Sequence, residues 1–293
     1  LLLYRAMQYA SNLNLTFALR GDVPSLTAKA TMHPGTTSYR LGLTGSPSCA
    51  EEIGMETIIR LSVETGNSLH VQTVSTAGSV DILRRCKPVT AGLSAETALH
   101  HLLFTHEDVG RYDTNYKTLP PLRGQSDVDA LIAAVNDGTI DCIVSDHTPC
   151  TPFSKLQDFV VAPQGMIALD TFLPAIYQYL VEPGKMSWQT VARACSDAPR
   201  RLMGLAPVSL EEGAPANLVV FDPEAGSCRI FEIKHSEEAV PQQYRHLIDK
   251  QKCAQTEHRY GPITGKFVLY RGGSQEIDGI QYQNVEEYLR SLA

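Results

Sequence analysis

Long hydrophobic runs are missing from this chain of 293 residues. No apolar stretch approaches the roughly 18 residues that a membrane-spanning helix needs. The opening Leu1-Leu2-Leu3 is too short for the core of a secretory signal peptide and has no basic segment before it. We therefore predict neither a membrane span nor a signal peptide. Because the first residue is not Met, we also expect the natural protein to begin upstream of Leu1.

The cysteine pattern of a disulfide framework or a zinc knuckle is also missing. The chain has seven cysteines, which is an odd number, and no C-x-x-C pair. The cysteines are Cys49, Cys86, Cys142, Cys150, Cys195, Cys228 and Cys253. Wide spacing and an odd count favour reduced thiols over disulfides, so we expect a cytoplasmic protein.

An excess of basic residues is absent as well. There are 25 Lys and Arg residues against 32 Asp and Glu residues, which gives a formal net charge of -7. A nucleic-acid-binding protein usually carries a basic patch, so we expect no nucleic-acid partner. The composition, 43% hydrophobic and 19% charged, is typical of a soluble globular protein. The length allows one large domain with a smaller appendage.

Strand-like and helical segments alternate as far as about residue 205. The predicted strands are 15–19, 69–74, 89–93 and 140–145, and the predicted helices are 1–12, 51–65, 79–86, 127–136, 169–181 and 188–194. Gly66 and Gly138 are expected to end two of these helices. Such alternation predicts a parallel sheet with helices outside it, an α/β fold. Beyond residue 205 the pattern changes to turns and strands, with a final β-element predicted at 261–273.

The strand predicted at 140–145 ends in polar residues. The segment 137–150 has the sequence DGTIDCIVSDHTPC, in which an apolar run leads into Asp146 and His147 before a proline. Polar residues at the C-terminal end of a barrel strand face the active site. Asp146 is therefore a candidate to bind a metal or to transfer a proton. The alternative is that Asp146 only caps the following loop.

The segments around this strand end resemble the class I dihydroorotases of the amidohydrolase superfamily. Residues 116–123 are YKTLPPLR, a predicted helix and the DGTIDCIVSDHTP run follow, and residues 162–165 are APQG. The family pattern is N-P-P-L-R, a helix, D-G-T-I-D-C-I-x-[ST]-D-H-x-P-H and a P-F-G turn. The order and spacing match over about fifty residues, from 116 to 165.

This resemblance implies a (β/α)8 TIM barrel of the amidohydrolase type with a small β-sandwich beside it. Residues 1–205 would be the C-terminal part of the barrel, and residues 206–293 the remainder of the sandwich and a C-terminal tail. The first strand of the family barrel carries H-x-H-x-R, and no H-x-H occurs here. We therefore expect the N-terminal barrel strands to be absent from this chain. A half barrel alone should fold poorly because its sheet edges stay open.

The resemblance also implies a zinc-dependent site. In the family, two zinc ions activate a water that attacks the cyclic amide of dihydroorotate. Asp146 matches the catalytic aspartate, which is both general acid/base and metal ligand. Two histidine ligand positions of the family align with Leu19 and Thr73. Leucine has no lone pair and threonine is a poor zinc ligand, so zinc is the family's cofactor while the ligand set of this chain is expected to be incomplete.

Four further positions match residues that contact substrate in the family. These are Leu119 in place of an asparagine, Cys150 in place of a histidine, Gln164 in place of an aromatic residue, and Gly165, which is unchanged. Arg123 could bind a phosphate or carboxylate, or could form a structural salt bridge. Cys150 is also a soft-ligand candidate, although a lone cysteine in a loop is more often only a thiol.

The histidines of the chain are expected to be structural. His100 and His101 match a family segment that is not a ligand site, and we expect them to pack and form hydrogen bonds near a strand end. His33 lies in a loop rich in Gly, Pro and Thr and is expected to be solvated. His147 is expected to form structural hydrogen bonds.

Two functions are compatible with these residues. In the first, the chain is a degenerate dihydroorotase of de novo pyrimidine biosynthesis that serves as a non-catalytic or weakly active partner of aspartate transcarbamoylase. In the second, it is an active zinc-dependent dihydroorotase that interconverts N-carbamoyl-L-aspartate and L-dihydroorotate. A hydantoinase-like cyclic-amide hydrolase is a third, weaker option. The resemblance further implies a homo-oligomer, a small-molecule substrate if the chain is active, and no membrane partner.

Overall fold

The computed structural model describes residues 1–13, 15–208, 219–222, 227–233, 245–260, 262–270, 272–284 and residues 287, 288 and 290. Contacts within it divide the chain into two compact units, Leu1–Ala206 and Pro207–Ala293. No helix in these ranges is long and apolar enough to cross a membrane.

The first unit contains one parallel sheet of four strands and the helices between these strands. The strands are β1 (Thr16–Leu19), β2 (Ser68–Val71), β3 (Leu93–Ala98) and β4 (Cys142–Val144). The helices are α1 (Leu2–Ala10), α2 (Pro24–Thr27), α3 (Thr36–Leu41), α4 (Ser48–Thr65), α5 (Ala77–Cys86), α6 (Leu99–Leu103), α7 (Gln125–Asp137), α8 (Pro152–Lys155), α9 (Phe172–Ile176), α10 (Trp188–Ala192) and α11 (Ala198–Leu202). Short 3-10 turns lie at Ser11–Leu13, Lys87–Val89 and Thr114–Tyr116, and π-helical turns at Tyr177–Val181 and Arg193–Asp197. The sheet order is β1-β2-β3-β4, and every pairing is parallel.

The two faces of this sheet differ because side chains alternate along a strand. One face is apolar: Leu69, Val71, Leu93 and Ala95 pack into a buried cluster with side chains of α4, α5 and α7. His70, Ser94 and Glu96 alternate with these apolar residues and belong to the opposite face. There the His70 ring bonds to the Ser94 hydroxyl and to the Glu96 carboxylate. Helix packing therefore fixes the sheet from one side and leaves a polar face on the other.

Most predicted elements are present, and several boundaries differ for local reasons. The prediction of a strand at 89–93 was wrong, because Val89 ends a 3-10 turn, is 82% exposed, and is followed by the turn at Gly92 (φ +72°). The strand instead begins at Leu93. The predicted helix ends at Gly66 and Gly138 are confirmed, since both glycines have left-handed φ values of 71° and 84°.

The second unit contains a mixed five-stranded sheet. Its strands are β5 (Val219–Asp222), β6 (Ser227–Ile233), β7 (Ile263–Tyr270), β8 (Gln275–Ile277) and β9 (Ile280–Asn284), in the order β5-β6-β7-β9-β8. Helices α12 (Arg245–Ile248) and α13 (Lys250–Tyr260) precede β7. The β-element predicted at 261–273 is not the final one, because β8 and β9 form an antiparallel hairpin after it. Residues 209–218 and 223–226, which belong to the region beyond residue 205 where turns and strands are predicted, lie outside the described ranges.

Candidate functional site at the strand ends

The carboxyl ends of four parallel strands meet at one edge of a sheet, and the candidate site residues follow these ends. Arg20 comes directly after β1, Thr73 two residues after β2, His100 two residues after β3, and Asp146 two residues after β4. This edge is where parallel α/β sheets carry their active sites.

Asp146 has an unusual backbone conformation and a partly shielded carboxylate. Its φ of +44° ends the extended chain of β4, and its side chain is 36% exposed. Burial is the main cause that raises the pKa of this carboxyl, the nearby Glu96 carboxylate adds to it, and Arg20 opposes it. A carboxyl with a raised pKa suits proton transfer near neutral pH. The side chain of His100 approaches it, with His100 Nε2 at 3.8 Å from Asp146 Oδ2.

His100 and His101 form a buried pair of imidazoles. Both are at most 2% exposed, and their ring centroids lie 4.5 Å apart. Burial lowers the pKa of His100 to about 4, and it lowers the pKa of His101 well below its ordinary value. The predicted packing is therefore present, but the predicted hydrogen bonds are not: no ring nitrogen of either histidine has a hydrogen-bond partner among the described residues.

The residues at the two family ligand positions do not offer metal ligands. Leu19 packs against the apolar cluster between the sheet and the helices. Thr73 is 8% exposed and has a φ of +53°, which is rare for a β-branched residue. Across the described part of the chain, no three His, Cys, Asp or Glu side chains converge to hold a metal ion. The donors at these strand ends therefore do not fit the two-zinc site that the resemblance implies.

Three of the predicted substrate-contacting residues lie together in one loop cluster. The Cys150 thiol is 3.8 Å from the carbonyl oxygen of Gln164. The Gly165 amide donates to the carbonyl of Lys117 at 2.8 Å, and its carbonyl accepts from Lys155 at 2.7 Å. Gly165 has a φ of +134°, and a side chain there would lie only 2.7 Å from Thr148. A glycine is thus required where this loop passes the segment that follows Asp146.

The fourth predicted contact residue, Leu119, lies at the β1 end of the same sheet edge. Its carbonyl accepts a hydrogen bond from the Arg20 guanidinium at 3.2 Å, and its side chain is 40% exposed. The peptide bond between Leu119 and Pro120 is cis. The structure therefore links Leu119 to the residue after β1, whereas Cys150, Gln164 and Gly165 cluster near the segment after β4.

Arg123 is committed to structural contacts. Its guanidinium donates to the Ser75 hydroxyl at 3.0 Å, to the Ser46 carbonyl at 2.8 Å and to the Glu51 carboxylate at 3.5 Å. Arg123 and Glu51 are only 3% and 4% exposed. Of the two roles that the sequence allowed, the structural salt bridge is the one observed. Glu51 itself was not singled out from the sequence, because its partners lie far along the chain.

Of the predictions for two other histidines, the structure contradicts the one for His33 and confirms the one for His147. The prediction that His33 is solvated was wrong: its ring packs 4.9 Å from that of His106, and its Nδ1 is buried. Burial, followed by the charges of Arg123 and His106, lowers the pKa of His33 to about 4. The structural role of His147 is confirmed, because its Nδ1 accepts hydrogen bonds from the amides of Ala168 and Leu169, both at 3.1 Å.

Lys117 and Lys155 also have structural roles that the sequence did not indicate. The Lys117 ammonium donates to the carbonyls of Val160 and Ala162 at 3.0 and 2.6 Å. The Lys155 ammonium donates to the carbonyls of Thr114, Pro163 and Gly165. Burial lowers the pKa of both lysines. These bonds hold the loop that contains Gln164 and Gly165, and no local motif in the sequence indicates them.

Known proteins resemble this chain in sequence and in fold. No protein-family model matches it. The dihydroorotase of Leifsonia xyli subsp. xyli is 40% identical over 227 residues, which are 77% of this chain and 52% of that protein. The dihydroorotase of Mycobacterium leprae is 39% identical over 226 residues, which are 76% of this chain and 53% of that protein. The chain thus spans about half the length of the curated relatives it matches.

Solved structures of the same architecture are more distant in sequence. The D-hydantoinase (dihydropyrimidinase) from Thermus sp. matches with a TM-score of 0.66 at 23% identity, over 75% of this chain and 51% of that one. The dihydropyrimidinase from Brevibacillus agri NCHU1002 matches with a TM-score of 0.65 at 22% identity, over 75% and 50%. At this identity the likeness supports the fold alone, that of the TIM-barrel amidohydrolases. The sequence relatives show that the chain belongs to the dihydroorotase family.

Proposed function

We propose that this chain is a degenerate dihydroorotase of pyrimidine biosynthesis that does not hydrolyse dihydroorotate and serves as a partner of aspartate transcarbamoylase. The observation that carries the proposal is the side chain of Leu19, which is partly buried and packs against the apolar core at a position where the family has a histidine ligand. In the family that this chain resembles, the water that attacks the cyclic amide is activated by metal. A leucine at this position removes one ligand without leaving a polar group to replace it.

Changes at the predicted contact residues support the same function. Leu119, Cys150 and Gln164 replace an asparagine, a histidine and an aromatic residue of the family pattern. The first two changes remove side chains that contact substrate in the family, and the third replaces the usual aromatic residue of the turn beside Gly165. Gly165 is unchanged, but its amide is already bonded to Lys117. We propose these four residues as the remains of the substrate site, with Asp146 as the remaining catalytic and metal-binding position.

The proposed partner, aspartate transcarbamoylase, follows from the resemblance to the dihydroorotase family. Barrels of this family that have lost their ligands serve as assembly scaffolds for aspartate transcarbamoylase. The seven cysteines without a C-x-x-C pair suit the cytoplasm, where both proteins would meet. A homo-oligomer is part of the same proposal.

The second candidate function is an active dihydroorotase with an altered zinc site. The raised pKa of Asp146 favours it, because that carboxyl could transfer a proton. Arg123, which the sequence allowed as a carboxylate binder, is bonded within the fold instead. The substrate of this alternative would be dihydroorotate or N-carbamoyl-L-aspartate.

The rate of dihydroorotate hydrolysis distinguishes the two candidate functions. The full chain is assayed for dihydroorotate hydrolysis with and without added zinc, beside Asp146→Ala. We expect no turnover above the protein-free rate in either protein. Zinc-dependent turnover that Asp146→Ala abolishes would overturn the proposal in favour of the active enzyme. Binding is tested by size-exclusion chromatography with purified aspartate transcarbamoylase from the same source, and failure to co-elute would refute the partner.

A further inference from the structure

The outer edge of strand β1 is open, and the helix that precedes it, α1, has an exposed apolar face. In the described part of the chain, β1 pairs with β2 on one side, and no strand lies on its other side. We propose that this edge and this helix face form a dimer interface, in which β1 pairs antiparallel with β1 of a second copy. The inference rests on the homo-oligomer of the proposed function and names its contact, but it requires neither catalysis nor a transcarbamoylase.

The backbone of β1 leaves two residues free for such pairing. The Leu19 carbonyl accepts from the Gln72 amide at 2.8 Å, so Leu19 turns its backbone polar groups toward β2. Because these groups alternate in direction along a strand, the amides and carbonyls of Thr16 and Ala18 point to the open edge. Thr16 and Ala18 are also exposed, whereas Phe17 and Leu19 are partly buried. Four backbone hydrogen-bonding groups therefore face outward.

One register satisfies all four groups in each copy. A two-fold axis at Phe17 places Phe17 opposite Phe17 of the second copy, and both side chains stay on the helix side of the sheet, where Phe17 packs. Thr16 then lies opposite Ala18 of the second copy, and the two residues exchange both of their hydrogen bonds. The interface gains four backbone hydrogen bonds in this way. An axis at Ala18 would instead leave Thr16 without a partner in β1.

The residues of β1 do not protect its edge against pairing. Strands that remain at the edge of a sheet in water usually carry charged residues, prolines or bulges. The four residues of β1 are Thr, Phe, Ala and Leu, and its pairing with β2 continues without a shift of register. An edge of this composition favours the addition of another strand.

The outer face of α1 extends this edge with apolar side chains. The helix packs beside α4 on its inner face. On its outer face Leu2 and Tyr9 are both 84% exposed, and Ala6 between them is also exposed. The spacing of these three residues, i, i+4 and i+7, places them on one side of the helix. Leu13 and Leu15, which lie between α1 and β1, are about half exposed and continue the apolar surface.

The exposed area suffices for a stable contact. The four large side chains of this surface each expose half or more of their area, which amounts to on the order of 500 Å² per copy. With the strand edge added, the surface approaches the roughly 800 Å² per partner of a standard interface. Monomeric proteins rarely expose an apolar patch of this size without a binding role.

The two ends of the sheet differ, and this difference favours a two-fold contact between identical surfaces. At the other end, Cys142 and Ile143 of β4 are buried, and the turn Arg193–Asp197 packs against this strand. A head-to-tail contact would need β4 of one copy to receive β1 of the next. Because β1 is exposed and β4 is covered, the partner that fits β1 is β1 of a second copy.

Sedimentation of the full chain tests the dimer. Velocity runs at protein concentrations from about 1 to about 100 μM should show a species of twice the 32.1 kDa chain mass. Tyr9→Ser should weaken dimerisation at least about tenfold, because it removes the largest exposed side chain of the interface. The matched control is Tyr39→Ser on α3, where the tyrosine is 85% exposed, and it should leave dimerisation unchanged.

A backbone variant tests the strand pairing itself. Ala18→Pro removes an amide that points to the open edge and keeps the bonds to β2, because proline is tolerated on the outer side of an edge strand. We expect this variant to abolish the dimer. In the unchanged chain, the amides of Thr16 and Ala18 should exchange hydrogen more slowly at high protein concentration than at low concentration.

The outcomes separate this inference from the hydrolysis assay. A chain that stays monomeric throughout, or a dimer that neither Tyr9→Ser nor Ala18→Pro weakens, would refute the interface and leave the edge to a different strand, such as one of a complete barrel. Circular dichroism is recorded for each variant, and the exposed Tyr9 keeps the test decisive if Ala18→Pro unfolds. A monomer would remove the homo-oligomer from the proposed function, whereas only turnover would refute the absence of hydrolysis.

Discussion

At the scale of single residues, Arg123 joins segments that are far apart in the chain. Its three nitrogen groups bond to Ser46, Glu51 and Ser75, which lie 77, 72 and 48 residues away. Glu51 in turn accepts from the amides of Ser75 and Thr76 at 2.8 and 3.2 Å. These bonds satisfy both buried charges, and they hold the segment after β2 at the sheet edge. Breaking one partner would leave the other charged and buried.

Replacement of Arg123 should therefore be strongly destabilising. We expect Arg123→Met to lower the free energy of unfolding by about 3–5 kcal/mol, because Glu51 keeps its charge without its partner. Arg84→Met is the control, since Arg84 is 41% exposed, and it should cost less than about 1 kcal/mol. Urea denaturation measures both.

A second substitution identifies the cause. Glu51→Gln added to Arg123→Met should recover part of the loss, because no unpaired charge then remains and the amide oxygen can still accept from the Ser75 and Thr76 amides. Equal costs for Arg123→Met and Arg84→Met would show that the buried network does not stabilise the fold.

At the scale of elements, one carboxylate connects the first turns of two helices. Asp127 accepts from the amide of Ala77, at the start of α5, at 2.8 Å, and from the amide of Gly124, just before α7, at 3.2 Å. Helix N-termini have unpaired amides and a positive dipole end, so one anion suits both. The N-cap Thr76 adds a bond from the Ser79 amide at 3.1 Å. The loop between β2 and α5 is thereby fixed at its helical end.

Loss of this shared cap should destabilise both helices. We expect Asp127→Ala to lower the free energy of unfolding by about 1–3 kcal/mol, because two amides lose a charged acceptor. The matched control is Asp129→Ala on the exposed side of the same helix, where we expect a change within about 0.5 kcal/mol. Thermal unfolding compares the two variants, and equal midpoints would contradict a capping role for Asp127.

At the scale of the whole molecule, buried neutral histidines make stability depend on pH. The pKa values of His33 and His100 are lowered to about 4, and that of His101 is lowered well below its ordinary value. An unfolded histidine has a pKa of about 6.5. Between these values the unfolded chain binds protons that the folded chain does not. Their contribution to stability is therefore present above about pH 6.5 and is lost as the pH falls toward 4.

His33 provides the test of this acid sensitivity. A shift from 6.5 to about 4 sets an upper limit of roughly 3 kcal/mol, and solvent screening reduces this amount because His33 is only half-buried. We expect His33→Gln to flatten the pH dependence of the unfolding free energy by about 1–2 kcal/mol, measured by urea denaturation from about pH 7 to pH 4. His258→Gln, at an exposed position of α13, should leave the slope unchanged. A slope that His33→Gln does not alter would show that His33 titrates normally in the folded chain.

Local signals explain both the successes of the sequence predictions and some of their errors. Gly66 and Gly138 end helices because glycine accepts the left-handed conformation that a helix end requires. Asp278-Gly279 is a turn signal of the same kind, although no turn was predicted there. Both residues have positive φ values, of 53° and 75°, and form the two-residue turn between β8 and β9. The prediction of a strand at Val89 was wrong because the apolar side chain indicated a buried strand, whereas Val89 lies exposed in a turn.

The sequence by itself determined the alternation of strands and helices, the dihydroorotase family and the position of Asp146 at a strand end. Period and turn residues encode the alternation and the strand end within a few neighbouring positions, whereas the family follows from the resemblance of residues 116–165 to the dihydroorotase pattern. Only the tertiary structure decided that Leu19 packs against the core, that Arg123 is committed to Glu51, and that His100 approaches Asp146. These facts depend on segments tens of residues apart being packed together. Side-chain direction and desolvation, which set ligand availability and pKa, exist only after that packing.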